Sequence, residues 1–250
     1  MSRQPGSRYF APSLPLTLLT LAVLAVLVSL GRWQLRRADE KQRLFDAFAS
    51  GADATLALTA ATAPLPRYQH VVAHGSYDSA RQVLIDNMTS ADGQAGYYVI
   101  TPLALDGGGW LLVNRGWVPL GASRRILPDV GVAAMPRDVH GRTDHLPVAG
   151  IQMGTPARLA PPFPAVATYP GVAELASLLG VGSFAPAAEV LLLDPSEPDG
   201  YVRQWSPPGL SPMRHLAYAV QWFGLALTLA IIYVVTNLRR TPAPAAPGVA

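Results

Sequence analysis

The sequence predicts an α+β membrane protein in which two transmembrane helices flank a β-rich domain. Three observations carry this expectation. The run from Leu14 to Leu30, LPLTLLTLAVLAVLVSL, is apolar almost throughout. The run from Leu216 to Val235, LAYAVQWFGLALTLAIIYVV, holds neither charge nor proline. At ~1.5 Å per residue, such a run is long enough to cross the hydrocarbon core of a bilayer. Between the two, short aromatic and β-branched runs alternate with glycine and proline punctuation, the pattern of strands and turns.

Composition agrees with this plan. Of 250 residues, 50% are hydrophobic and 14% charged, too apolar for an ordinary soluble domain and too polar for a polytopic transporter. Cysteine is absent, which excludes disulfides, thiolate metal sites, iron–sulfur clusters and cysteine nucleophiles. The net charge of +3 is mild, and the arginines form no groove-like cluster interleaved with aromatics, so nucleic acid is not an expected partner. The arginines read instead as membrane flanks, with lipid as the partner.

Residues 1–13 form the N-terminal segment and 14–30 the first helix, with Pro15 near its start, where a missing N–H is tolerated. Arg3 and Arg8 before an apolar run also fit a signal peptide. No A-x-A-like site follows, however; the run ends in Gly31-Arg32-Trp33-Gln34-Leu35-Arg36-Arg37, where tryptophan and arginine suit the interface of a retained helix. From Arg36 to about Phe48, Leu44, Phe45 and Phe48 stand among charges, and an amphipathic helical extension is expected. Gly51 to Pro66 is looser.

Strands are expected at His70–Tyr77 and Gln82–Asp86. A hairpin follows: Tyr97–Leu105, a turn at Asp106-Gly107-Gly108-Gly109, and Trp110–Val118. Asp86-Asn87-Met88-Thr89 reads as a turn. Val139–Arg142 begins another strand, Pro156–Pro170 reads as irregular, and Val172–Leu179 as a short helix closed near Gly180. Val190–Leu193 is a strand, and Gly200–Trp205 a candidate for one more. The second helix occupies 215–236, so the intervening domain is 31–214. The tail, 237–250, is of low complexity beyond Arg240 and is expected to be disordered.

Two spanning helices put both termini on one side. Which side is not decided by charge: Arg3, Arg8, Arg239 and Arg240 argue for cytoplasmic termini, whereas Arg32, Arg36, Arg37, Lys41 and Arg43 argue the reverse.

His215 is the residue most in need of explanation, because an ionisable group at the mouth of an apolar span is costly and histidine is a common ligand of metals, haem iron included. At 3.6 residues per turn, His215, Tyr218, Ala219, Trp222 and Ala226 share a face. Either this face holds a flat macrocycle over Ala219 and Ala226, or the aromatics are interface anchors and His215 a cap; spacing leaves both open. Trp33 and Gln34, at the same membrane surface, either face His215 or merely anchor the first helix. Arg115, in Asn114-Arg115-Gly116-Trp117, either grips a carboxylate in bidentate fashion or pairs internally while Trp117 fills the core. Gly107-Gly108-Gly109 lacks the lysine and following helix of a phosphate loop. No nucleophile elbow, H-E-x-x-H or paired-carboxylate pattern is present, and the chain is not expected to be an enzyme.

Several stretches together resemble the surfeit locus protein one family, whose members help assemble cytochrome c oxidase. They are Gly31-Arg32-Trp33-Gln34-Leu35 with Arg37 and Lys41; Gly75-Ser76-Tyr77; Asp86-Asn87; Gly96-Tyr97 with Thr101-Pro102-Leu103; Val113 to Pro119; Gly200-Tyr201; and His215-Leu216-x-Tyr218-Ala219-x-Gln221-Trp222-Phe223. Met88 departs from the pattern, since many relatives carry arginine after the Asp-Asn pair, and Pro156–Pro170 matches poorly.

The resemblance implies a bacterial inner-membrane protein with cytoplasmic termini and an extracytoplasmic, periplasmic domain. Its implied partners are the largest subunit of the oxidase and other assembly factors. The implied cargo is haem a, with His215 as the iron ligand; helical spacing adds Tyr218 and Trp222 as the residues beside it. The alternatives are a scaffold that docks on the oxidase through Arg115 and Trp117 without touching haem, a periplasmic ligand sensor, which the short Pro/Ala tail disfavours, and an enzyme acting on haem, which no residue set supports.

Overall fold

The computed structural model describes residues 8–51, 54–121, 123–149 and 159–240. The element order is β1 (Arg8–Phe10), α1 (Leu14–Ser50), β2 (Leu56–Leu58), β3 (His70–Tyr77), β4 (Val83–Thr89), β5 (Ala95–Leu105), β6 (Trp110–Pro119), β7 (Pro136–Asp144), β8 (Ala165–Ala167), α2 (Val172–Leu179), β9 (Val190–Leu193), α3 (Pro212–Asn237) and β10 (Leu238–Arg240). The chain divides into two compact units, Met1–Leu44 with Pro208–Ala250, and Phe45–Pro207.

The second unit is built on an eight-stranded sheet in the order β2-β3-β7-β9-β6-β5-β4-β8. An additional pairing of Gly75, Ser76 and Tyr77 with Leu105, Ala104 and Leu103 joins β3 to β5, so β3, β7, β9, β6 and β5 close into a ring. Glycine makes two of these close crossings possible. A Cβ on Gly75 would lie 2.2 Å from the carbonyl oxygen of Ala104, and one on Gly141 would lie 2.3 Å from that of Leu192.

Val71, Ala73, Leu103, Leu111 and Leu191 fill the ring, all fully buried. Leu175 and Leu179 of α2 close a second cluster with Val83, Ile85, Ile100 and Leu192. Gly180 ends α2 in the left-handed region (φ 64°), its N–H returning to the carbonyls of Ala176 and Ser177.

The β5–β6 hairpin turns at Gly108 and Gly109, both at positive φ (87° and 81°). Its strands are nearly continuously buried, because neighbours and α2 cover both faces. Three sequence expectations for this unit need correction. Asp86-Asn87-Met88-Thr89 is not a turn but the end of β4; a bulge between Ile85 and Met88, with Asn87 at φ 62°, absorbs the irregularity. Within Pro156–Pro170, of which 156–158 lie outside the described residues, Ala165–Ala167 is an edge strand running parallel to β4. Its flanking prolines lie outside the paired residues, so the backbone N–H of Ala165 is free to reach the Gln82 carbonyl at 3.0 Å. Gly200–Trp205 forms only a single bridge, Val202 to Trp117.

The first unit holds α1 as far as Leu44, together with α3. Both helices are long and apolar enough to cross a membrane. Leu238–Arg240, expected within a disordered tail, pairs antiparallel with β1. The expectation for the rest of the tail lies outside the described residues.

Candidate functional site

Along α1, the residues drawn inward from the exposed apolar surface include Thr17, Leu24, Gly31 and Ala38, and beside them Thr20, Leu27, Gln34 and Lys41. Each series repeats every seventh residue, the spacing that keeps one seam facing a partner helix. On α3 the inward positions include His215, Ala219, Trp222, Ala226, Leu229 and Tyr233, of which His215, Ala219 and Ala226 are the most buried. Small residues let the backbones approach: the Phe223 ring sits where a Cβ of Gly31 would come within 2.8 Å of it.

Polar contacts fix the antiparallel register. At one end the Thr17 and Tyr233 hydroxyls lie 2.6 Å apart. At the other, His215 Nδ1 lies 2.8 Å from Gln34 Oε1. Lys41 Nζ donates to the Pro208 carbonyl at 2.7 Å, just before α3 begins. Pro212 in the first turn sets the start of α3, which places His215 near the helix mouth.

His215 is 8% exposed. Its Nδ1 is engaged by Gln34, and no partner is seen for Nε2 among the described residues. Nor does Nε2 rank with the buried side-chain atoms that lack a partner, which are Tyr68 Oη, His70 Nε2 and Arg137 Nε. The Nε2 edge therefore reaches the surface of this unit.

Of the other residues singled out on this face, Trp222 is half-buried, while Tyr218 is 45% exposed. Ala219 and Ala226 are turned into the seam between α1 and α3, so they line no open groove. Trp33 is exposed, whereas its neighbour Gln34 enters the seam. The Thr17–Tyr233 and Gly31–Phe223 contacts escaped the reading of the sequence; the seven-residue repeat through Thr17, Leu24, Gly31 and Ala38 was the signal that would have found them.

Asn114, Arg115 and Trp117 belong to the other unit and serve its interior. Arg115 is 1% exposed. Its Nε donates to the Asp199 carbonyl at 2.8 Å, and its Nη1 to Gln82 Oε1 at 3.0 Å and the Val130 carbonyl at 2.9 Å. Tyr201 and Tyr77 flank the guanidinium with ring centres 5.1 and 5.8 Å away. Burial lowers its pKa from the ordinary arginine value. Asn114 Oδ1 accepts from the Gly116 N–H, and Trp117 Nε1 donates to the Met88 carbonyl at 3.1 Å. None of these three presents a polar group outward for a carboxylate or a partner protein.

Two buried tyrosines of this unit, Tyr68 and Tyr77, have pKa values pushed up to about 12, in each case chiefly by burial. Among the described residues, no group of three His, Asp or Glu side chains is placed to hold a metal ion.

The fold and site define a class: a closed β domain inserted between two long apolar helices whose seam carries one hydrogen-bonded imidazole. The chain belongs to the SURF1 family, whose model matches residues 21–227, a family linked to cytochrome oxidase assembly. The match spans α1 from Leu21 onward, the whole β domain and α3 as far as Leu227. No curated protein matches the chain in sequence.

Proposed function

We propose that this protein is a membrane-anchored assembly factor for haem–copper cytochrome c oxidase that holds haem a through His215 and aids its insertion into the largest subunit. α1 and α3 cross the bacterial inner membrane, the β domain lies on the periplasmic side, and both termini are cytoplasmic. Other assembly factors share the task. Family membership supports the oxidase role, and the two apolar helices support the anchoring.

The observation that carries the ligand assignment is the disposition of the His215 imidazole. One nitrogen is tied to Gln34 and the other is left at the surface. A neutral imidazole nitrogen with a free lone pair is what haem iron requires of a histidine ligand. Tyr218, exposed one turn along, offers a flat aromatic surface, and Arg214, also exposed, a cation for a propionate. Bound haem would supply the coordination chemistry; the chain supplies one ligand atom, orientation and release. A single protein ligand suits a carrier that must give up its cargo.

The test is to purify the protein from cells making haem a and to record absorption spectra of the wild type and of His215→Ala. The substitution should remove the haem spectrum while leaving the protein in the membrane. Unchanged haem binding would overturn the assignment. A haem-independent scaffold docking through Arg115 and Trp117 finds no support in their positions, since both are buried.

A further inference from the structure

We infer that Gln34 is the positioning residue for His215: it fixes the imidazole as the Nδ1–H tautomer and so leaves the Nε2 lone pair as the single open ligand atom. This rests on the reading of His215 as a ligand, but its central step concerns only protein atoms. The contact joins residues 181 positions apart, at 2.8 Å, with the amide oxygen turned toward the ring. That oxygen can only accept, so Nδ1 must donate. A neutral imidazole carries one N–H, and placing it on Nδ1 strips Nε2 of its proton. Coordination at Nε2 then needs no proton to leave: the lone pair is donated as it stands.

The surroundings make this bond firm. Gln34 lies three residues beyond Gly31, whose lack of a side chain admits the Phe223 ring, and four before Ala38, also buried. Ala219 is buried one turn after His215. The pair is therefore flanked by small and apolar residues, beside which a hydrogen bond is stronger than one made in water. An orienting partner on the far nitrogen is the usual device by which proteins fix a ligating histidine; losing one typically costs about 10–100-fold in affinity.

The test uses the whole chain in lipid nanodiscs, free of haem, with nitrogen-15 histidine. Nitrogen chemical shifts of His215, assigned by comparison with His215→Ala, report which ring nitrogen bears the proton. The wild type is expected to show Nδ1 protonated and Nε2 bare. Gln34→Leu keeps an apolar side chain of similar length in the seam but removes the acceptor; it should release the ring toward the Nε2–H form ordinarily preferred by histidine. Gln34→Glu restores an acceptor and should restore the wild-type pattern. A proton on Nε2 in the wild type, or a pattern indifferent to Gln34→Leu, overturns the inference. Titration with haem a then separates the two claims. Weaker binding by about 10–100-fold in Gln34→Leu, with recovery in Gln34→Glu, is expected. Should His215→Ala bind haem a as well as the wild type, the ligand reading fails while the tautomer result stands.

Discussion

The Phe223 ring lies over the backbone of Gly31, at the point where a Cβ would come within 2.8 Å of ring atoms Cε1 and Cζ. Gly31 is three residues before Gln34, so the closeness of the helices there and the His215–Gln34 bond depend on one another. A bulky residue at position 31 must displace the ring or part the helices. Gly31→Val should destabilise the α1–α3 pair by about 1–3 kcal/mol, the usual cost of overpacking. Thermal unfolding in detergent checks this, and Gly31→Ala, which gains helix propensity against a smaller clash, should cost much less.

Arg115 is a buried cation held mainly by neutral acceptors: the carbonyls of Asp199 and Val130 and the side chain of Gln82. Arg115→Met leaves those acceptors unpaired inside the domain. We expect a loss of about 3–5 kcal/mol, measured by denaturant unfolding. Arg115→Lys should not rescue it, because an ammonium cannot span the same fork.

His74 is exposed and stands between two carboxylates, with Nδ1 2.7 Å from Asp138 and Nε2 3.2 Å from Asp106. Its pKa is raised above 6.5, first by the hydrogen bond to Asp138 and further by the charge of Asp106. A raised folded-state value means the contribution to stability is complete below the unfolded value and is lost as pH rises through the folded one. Titration of His74 by NMR should therefore give a midpoint above 6.5. His74→Gln should flatten the matching fall in stability, and added salt should shrink the effect.

Burial disfavours the phenolate and pushes the Tyr68 and Tyr77 pKa values up from 10.0 to about 12. Between those values the unfolded chain has already released protons that the folded one retains, so stability should fall as pH rises above about 10. Ultraviolet absorbance should show these two phenols ionising last, together with alkaline unfolding. Tyr68 Oη is buried without a partner among the described residues. Tyr68→Phe should therefore reduce the alkaline loss and leave stability at neutral pH equal or higher by ~1 kcal/mol.

Much of the architecture was readable locally. The strand at Val190–Leu193 and the helix at Val172–Leu179 match their expected bounds, and the β5–β6 hairpin extends its expected strands by at most two residues. Each is driven by its own pattern of burial and by turn glycines. The short strands Leu56–Leu58 and Ala165–Ala167 were not readable. They exist because β3 and β4 offer unpaired edges, not because three residues prefer extension. Asp86–Thr89 misled for a related reason: turn-forming residues were accommodated as a bulge within a ladder already held by β5.

Length, hydropathy and turn chemistry are properties of neighbours in the chain, and they settled the two apolar helices, the β-rich region between them and the oddity of an imidazole at the mouth of α3. The partners of the polar residues are set by packing between distant segments. The sequence left Arg115 open between gripping a carboxylate and pairing internally; ring closure decides for the second, surrounding it with carbonyls from two remote loops. His215 and Gln34, 181 residues apart, meet only because Gly31, Ala38, Ala219 and Ala226 let two helices come close in one register. That meeting, and not the spacing of either motif, decides which imidazole nitrogen faces outward.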